Sequence, residues 1–176
     1  MNKVNALVNI VKPVIGLVHL PPLPGTYLND GSLSLESILQ TALEDARNLA
    51  EGKIDAMLIC NENDKPYTKK AEPHIIAQMT WIAEKIVDEV DLPFGIDVQW
   101  DPFASLAIAK ATDAAFIRGL VVGTYCGDLG QYSIDPCQFA EYRKKIGAQN
   151  VKVFTNLMPE FSYSLDQRPI ALRALT

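Results

Sequence analysis

The sequence predicts an α/β fold built around a parallel sheet. Five short runs of apolar and β-branched residues recur along the chain, and each leads into a helical pattern or the start of one. The runs are apolar along their length rather than alternating with polar residues. Strands of that composition are covered on both faces, as in a parallel sheet flanked by helices.

Residues 13–20 (PVIGLVHL) form the first run, cut short by Pro21, Pro22, Pro24 and Gly25, so a buried strand is followed by a rigid loop. Leu35, Ile38, Leu39, Ala42, Leu43, Ala46, Leu49 and Ala50 then repeat at helical spacing, with Ser34 placed to cap the start and Gly52 just past the end. Residues 54–60 (IDAMLIC) are the second strand, and Pro73 opens a helix carrying Ile75, Ile76, Met79, Ile82, Ala83, Ile86, Val87 and Val90. The third strand, residues 93–100 (PFGIDVQW), runs into the cap and first-turn pair Asp101-Pro102. A helix follows to about Ala111, apolar on most sides and therefore buried. Residues 115–122 are the fourth strand, joined by a glycine-rich loop, Gly123 to Gly130, to a helix from Asp135-Pro136 to Gly147. Residues 151–157 (VKVFTNL) are the fifth strand, and Asp166, Arg168-Pro169 and the apolar residues from Ile170 to Leu175 read as the start of a further helix.

Composition narrows what such a fold can do. The 176 residues suit one domain with a real core. Lys and Arg total 16 against 21 Asp and Glu, a net charge of −5, so no basic excess exists to neutralise a phosphate backbone and nucleic acid is not an expected partner. The longest apolar stretches, such as 114–122, fall short of the roughly 20 residues a membrane helix needs, and the N-terminal residues carry no signal-peptide pattern. The expectation is a soluble, cytoplasmic protein with no integral membrane segment. Cys60, Cys126 and Cys137 lack C-x-x-C spacing and a nearby His, which argues against a disulfide framework and against a zinc site and fits a reducing compartment.

Two architectures satisfy the strand and helix pattern. A doubly wound sheet fits the length but usually has a Gly-rich phosphate turn after its first strand, where this chain has His19-Leu20-Pro21-Pro22-Leu23-Pro24-Gly25. A (β/α)₈ barrel needs about 250 residues and eight units. Spacing alone leaves both open.

Residues 12–25, KPVIGLVHLPPLPG, resemble the opening signature of the BtpA family, also called the BtpA/SgcQ family. Further correspondences follow in order: Ile54-Asp55-Ala56, Asn61 with Asp64 and Pro66, Met79-Thr80, Pro93 and Gly95, Leu106 to Ala109, and Phe116-Ile117-Arg118. The resemblance runs from about residue 10 to about residue 155. It implies a TIM-barrel-like fold, of which about five of the eight units would be present, so the expectation is a single BtpA-like domain over 1–176, C-terminally truncated. It implies much less about function. Members of the family are associated with photosystem I biogenesis, which carries the implication of peripheral membrane association, while others have a provisional nucleosidase description or sit beside sugar-uptake functions. No agreed reaction and no cofactor come with the resemblance.

In a barrel, catalytic groups stand at the C-terminal ends of strands and in the loops beyond them. That rule selects His19, Asn61, Asp64, Asp97, Gln99, Asp101, Arg118, Asn156 and Glu160, which would converge on one rim. His19 is a candidate general base or metal ligand, and the alternative is a hydrogen-bonded histidine orienting the Pro-rich loop. Asn61 and Asp64 could hold a sugar hydroxyl or a cation, or cap turns as Asx side chains do. Asp97 lies in an otherwise apolar strand, where an unpaired carboxylate is costly, and Arg118 on the adjacent strand is its expected partner and a candidate substrate anchor. Asp128 and Gly130 resemble a family D-x-G, which favours a shaped binding loop, although the loop lacks the Gly-Lys-Ser/Thr ending of a P-loop. Cys60 and Cys126 are read as packing residues.

The chain also departs from the family pattern. Trp100-Asp101-Pro102 stands where relatives tend to carry Arg-Asn-Asp, Thr155 and Pro159-Glu160 replace an Asp and a Lys-His, and Cys60 replaces an acid. Two functions follow as expectations. One is a barrel acting on a small polar substrate, a nucleoside or a sugar phosphate, through catalytic His19, Asp64 and Asp97 and binding residues Asn61, Arg118, Asp128 and Gly130. The other is a non-catalytic assembly factor or a degenerate family member. Five strands without closure would leave two sheet edges unpaired, so the further expectation is that the chain is a fragment or associates with another copy.

Overall fold

The structure, a computed structural model, describes residues 10–175. Residues 1–9, on which the reading of the N-terminal leader falls, lie outside the described residues, as does Thr176. Among the described residues eight strands occur in chain order: β1 (Ile15–His19), β2 (Ala56–Cys60), β3 (Phe94–Asp97), β4 (Phe116–Gly119), β5 (Thr124–Gly127), β6 (Gly130–Ser133), β7 (Lys152–Thr155) and β8 (Ser162–Ser164). The helices are α1 (Leu35–Glu51), α2 (Pro73–Glu89), α3 (Pro102–Ala111), α4 (Pro136–Lys145) and the four-residue α5 (Ile170–Arg173).

All five expected apolar runs form strands, and they pair in parallel in the order β1-β2-β3-β4-β7. That order is sequential. A doubly wound sheet instead reverses direction at a switch point, so the order fits the TIM-barrel-like alternative. Among the described residues β1 and β7 are the outer strands of this sheet.

Register fixes what each face carries. Val18, Ile59, Ile96 and Ile117 lie across from one another along the sheet and belong to the main apolar core. The same core holds Ile38 and Leu43 of α1, Met79 and Ile86 of α2, Leu106 and Ile108 of α3, and Phe139 of α4. These four helices therefore share one face. On the other face Leu58 lies between Leu17 and Gly95, and Gly95 is level with Phe116. A side chain at Gly95 would run into the Phe116 ring, so glycine is what allows that ring to lie across β3. Phe116 in turn packs on Phe154, ring centroids 5.0 Å apart. Leu17 and Phe154, toward the two outer strands, are 46% and 41% exposed.

The helix ends follow the sequence. Ser34 accepts from the Ser37 N–H, and Asp101 and Asp135 each accept from two N–H groups of the turn that follows, with proline at the first helical position of both. Asp101 does more than cap, because its second oxygen accepts from the buried Ala71 N–H (3.0 Å) and ties α3 to the loop ahead of α2.

One expectation is corrected. The segment Gly123 to Gly130 is not a loop but the hairpin of β5 and β6, turned by Asp128-Leu129, and β8 joins it in an antiparallel sheet of order β6-β5-β8. Tyr125 and Tyr132 face each other across the hairpin and are both buried. Glycine here serves close approach: a side chain at Gly127 would strike the Phe161 carbonyl oxygen.

Replacing Gly95 with Ala should destabilise the fold by about 1–3 kcal/mol through overpacking against Phe116. Urea unfolding checks this, and adding Phe116→Leu should recover part of the loss. A neutral Gly95→Ala would mean the ring has room to shift.

Candidate functional site

The C-terminal ends of the parallel strands open into a cavity of about 210 Å³. Six of the residues expected on the rim line it: His19, Asp97, Gln99, Arg118, Asn156 and Glu160. Strand parity explains the grouping. His19 pairs in register with Cys60 and Cys60 with Asp97, two residues beyond the row containing Leu58 and Gly95, so all three occupy the face opposite the helices.

Asp97 is the most perturbed carboxyl of the cavity. Burial pushes its pKa up to about 7, the Arg118 guanidinium opposes that rise, and the nearby Glu62 carboxylate adds to it. Arg118 Nη1 stands 3.9 Å from Asp97 Oδ2, and its Nε donates to Asn156 Oδ1 (3.3 Å). The expected pair is therefore on one face, with Asp97 buried and the Arg118 side chain 39% exposed. A carboxyl balanced near neutrality can both hold and release a proton, and the guanidinium beside it can hold an anion.

Two residues of this cavity, Glu62 and Tyr67, lay outside the sequence reading. Glu62 accepts from Gln99 Nε2 (2.9 Å) and from the Tyr67 hydroxyl (2.9 Å), with Lys65 Nζ 3.9 Å away. The Tyr67 hydroxyl, one of whose partners is the Glu62 carboxylate, has its pKa raised by burial and by that contact. The signal for Glu62 was present, since it lies two residues after β2 in the loop that supplied Asn61 and Asp64.

Asn61 and Asp64 do not join this group. Asp64 Oδ1 accepts from the Leu23 N–H (2.8 Å) and Oδ2 from Asn61 Nδ2 (2.9 Å), while Asn61 Oδ1 accepts from the Gln99 N–H (2.8 Å). The pair binds together the loops after β1, β2 and β3, and burial pushes the Asp64 carboxyl up despite these donors. Both instead line a separate cavity of about 230 Å³ with His74 and Glu72. Asp101 is occupied as a helix cap.

Asp128 and Gly130 lie elsewhere again, in a cavity of about 330 Å³ beside the hairpin, whose wall shares Tyr67, Trp100 and Phe161 with the polar cavity. Phe161 holds a backbone φ of +57°, a conformation that costs a non-glycine residue about 1 kcal/mol or more. Cys60 is buried, and its thiol pKa is raised by burial and by the Asp97 and Glu62 charges, which leaves it a poor nucleophile. Cys126 is exposed rather than packed. Among the described residues no group of three or more His, Cys, Asp or Glu side chains is placed to hold a metal ion, and no helix is long and apolar enough to cross a membrane.

The sequence model of the BtpA family matches residues 10–175. Over 170 residues the chain is 34% identical to the provisionally named sgc region protein SgcQ of Escherichia coli K12, covering 97% of this chain and 63% of that protein. It is 38% identical over 148 residues to an uncharacterised protein of Thermococcus kodakarensis, covering 83% and 56%. It is 32% identical over 139 residues to the photosystem I biogenesis protein BtpA of Synechocystis, covering 77% and 48%. The chain thus spans between 48% and 63% of the length of these relatives. No solved structure matches it.

The raised Asp97 pKa makes stability depend on pH. From the ordinary value near 3.8 to about 7 the folded state holds a proton that the unfolded chain has released, so the contribution of Asp97 is present at low pH and is lost as pH rises through about 7. Asp97→Asn should match the wild type near pH 4 and become more stable than it toward pH 7, by on the order of a few kcal/mol. Urea midpoints measured from about pH 4 to about pH 8.5 decide it, and a difference that does not change with pH would overturn the assignment.

Proposed function

The chain belongs to the BtpA family, and on that premise we propose that its parallel sheet is part of a TIM-barrel-like fold whose strand-end cavity binds a small polar molecule, a nucleoside or a sugar phosphate. The observation that carries this reading is that ionisable and amide side chains from the ends of β1, β3, β4 and β7 and from the loop after β2 share one cavity, away from the helices. Each has work suited to its chemistry. Arg118 is the anchor for a phosphate or carboxylate, its planar donors matching paired oxygens. Glu62, held by Gln99 and Tyr67, accepts from sugar hydroxyls. Asp97 supplies or takes a proton near neutral pH, with His19 across the Cys60 strand as the second proton-handling group. Asn61 and Asp64 hold the loops in place for these contacts.

A second reading, a non-catalytic assembly factor, draws on a different observation. Leu17 and Phe154 leave apolar surface uncovered on the sheet face opposite the helices, and such surface suits a protein partner. The name of the Synechocystis relative, a photosystem I biogenesis protein, points the same way.

Calorimetric titration separates the two. Ribose 5-phosphate or adenosine should bind the wild type, and Arg118→Ala should weaken ribose 5-phosphate at least about tenfold, with a melting curve showing that the variant is folded at the titration temperature. Absence of binding and of thermal stabilisation by nucleosides and sugar phosphates alike rejects the first reading in favour of the second.

A further inference from the structure

The polar cavity carries an imbalance of charge. Glu62, Asp97 and Glu160 bring carboxyl groups to its lining, against the single guanidinium of Arg118. Lys65 stands outside that lining, 3.9 Å from Glu62. A phosphate monoester therefore meets a site already rich in negative charge. Arg118 and Asp97 lie where that conflict is felt. Their closest approach, 3.9 Å from Nη1 to Oδ2, is an ion pair too long to be a hydrogen bond. Arg118 is fastened through Nε to Asn156, and among the described residues no hydrogen bond engages its Nη atoms. Asp97 is buried and faces charge from several elements. The Cys60 thiol of β2 lies beside it with His19 of β1 beyond, Glu62 and Tyr67 come from the loop after β2, and Arg118 comes from β4. Burial and Glu62 favour the protonated carboxyl, whereas Arg118 and the Cys60 thiol favour the ionised one.

We infer that an anionic ligand held by Arg118 is bound together with one proton, which Asp97 takes up. Proton uptake of this kind rests on the binding of a small polar molecule proposed above, and adds to it the charge state of the complex. An anion on the Nη donors lies within a few Å of the Asp97 carboxylate. At an effective dielectric of about 20, one negative charge added at about 6 Å favours the protonated carboxyl by about a hundredfold. The same anion engages the guanidinium charge that otherwise offsets the burial of Asp97. Protonation of Asp97 relieves both and removes one carboxylate from the excess in the cavity. Glu62 is already engaged by Gln99 Nε2, the Tyr67 hydroxyl and Lys65, so Asp97, with Arg118 as its counter-ion, is the carboxyl that the anion disturbs. In the complex Asp97 then stands beside the ligand as a carboxylic acid, able to give a proton to a ligand oxygen rather than to act as a base. An uncharged ligand makes no such demand, so a phosphate monoester brings a proton with it and a nucleoside brings none.

Calorimetric titration of the full chain with ribose 5-phosphate, repeated in Tris and in HEPES, counts the protons exchanged on binding, because the two buffers release them with different heats. With Asp97 of the free protein pushed up to about 7, the wild type should take up close to one proton at about pH 8. Between about pH 7 and pH 8.5 the phosphate is already mostly dianionic, and the affinity should fall about tenfold. Asp97→Asn should bind without proton uptake and lose that fall. The wild-type proton count decides by itself where melting curves show that the variant does not fold. Binding with no net uptake at about pH 8, or with the same uptake in folded Asp97→Asn, overturns the inference and leaves the binding reading standing. Absence of binding at every pH from about 6 to about 8.5 removes the binding reading and the proton uptake with it.

Discussion

Packing of one row of strand residues beneath the helices decides what the rest of the molecule can be. Val18, Ile59, Ile96 and Ile117 lie in register and close the main core against α1, α2, α3 and α4. Side chains alternate along a strand, so once this row is committed to the helices the next residue on each strand has no freedom of choice. His19, Cys60 and Asp97 must emerge on the opposite face, and Arg118, following Ile117, must do the same. A slip of one residue would exchange the two populations, burying ionisable groups under helices and exposing the core row. The apolar core thus stabilises the sheet and also places the chemistry.

That division accounts for the different fates of neighbouring residues. Asn61 follows Cys60 and so belongs by parity with the helix face, where its amide and the Asp64 carboxylate are consumed by Leu23 and Gln99 backbone donors. Asp97 keeps a carboxyl largely without such donors, and its environment comes from burial, one guanidinium and a second carboxylate. The two aspartates are both buried. Their partners distinguish them: backbone and amide donors bind Asp64 into the loops, whereas a guanidinium and a second carboxylate face Asp97.

Much of the parallel sheet was legible from the sequence because the apolar runs at 54–60 and 115–122 are dense and are bounded by turn residues and caps. The meeting of Asp97 and Arg118 was legible for the same reason: a lone carboxylate and a lone guanidinium in adjacent buried strands have few other partners. The hairpin was not. Its glycines resemble loop signals, and the alternation that marks it rests on only two large residues, Tyr125 and Tyr132. β8 is three residues long and pairs with a strand some 35 positions earlier, a contact that local pattern does not encode. Glu62 was passed over because its asparagine neighbours suggested turn capping, whereas its actual partners, Gln99 and Tyr67, are fixed only by the folded loops. The grouping of Asn61 and Asp64 with the rim came from position along the chain without the parity that separates them from it.

Gly127 ties the two cavities to a common history. Its missing side chain lets Phe161 approach the hairpin, and Phe161 is wall to both cavities. Any larger residue at this position has to push the Phe161 backbone outward, changing the polar cleft as well as the aromatic one. A larger residue in the hairpin at Gly127 therefore cannot reshape one chamber alone: it displaces the 159–162 segment, and the forms of the two chambers change together.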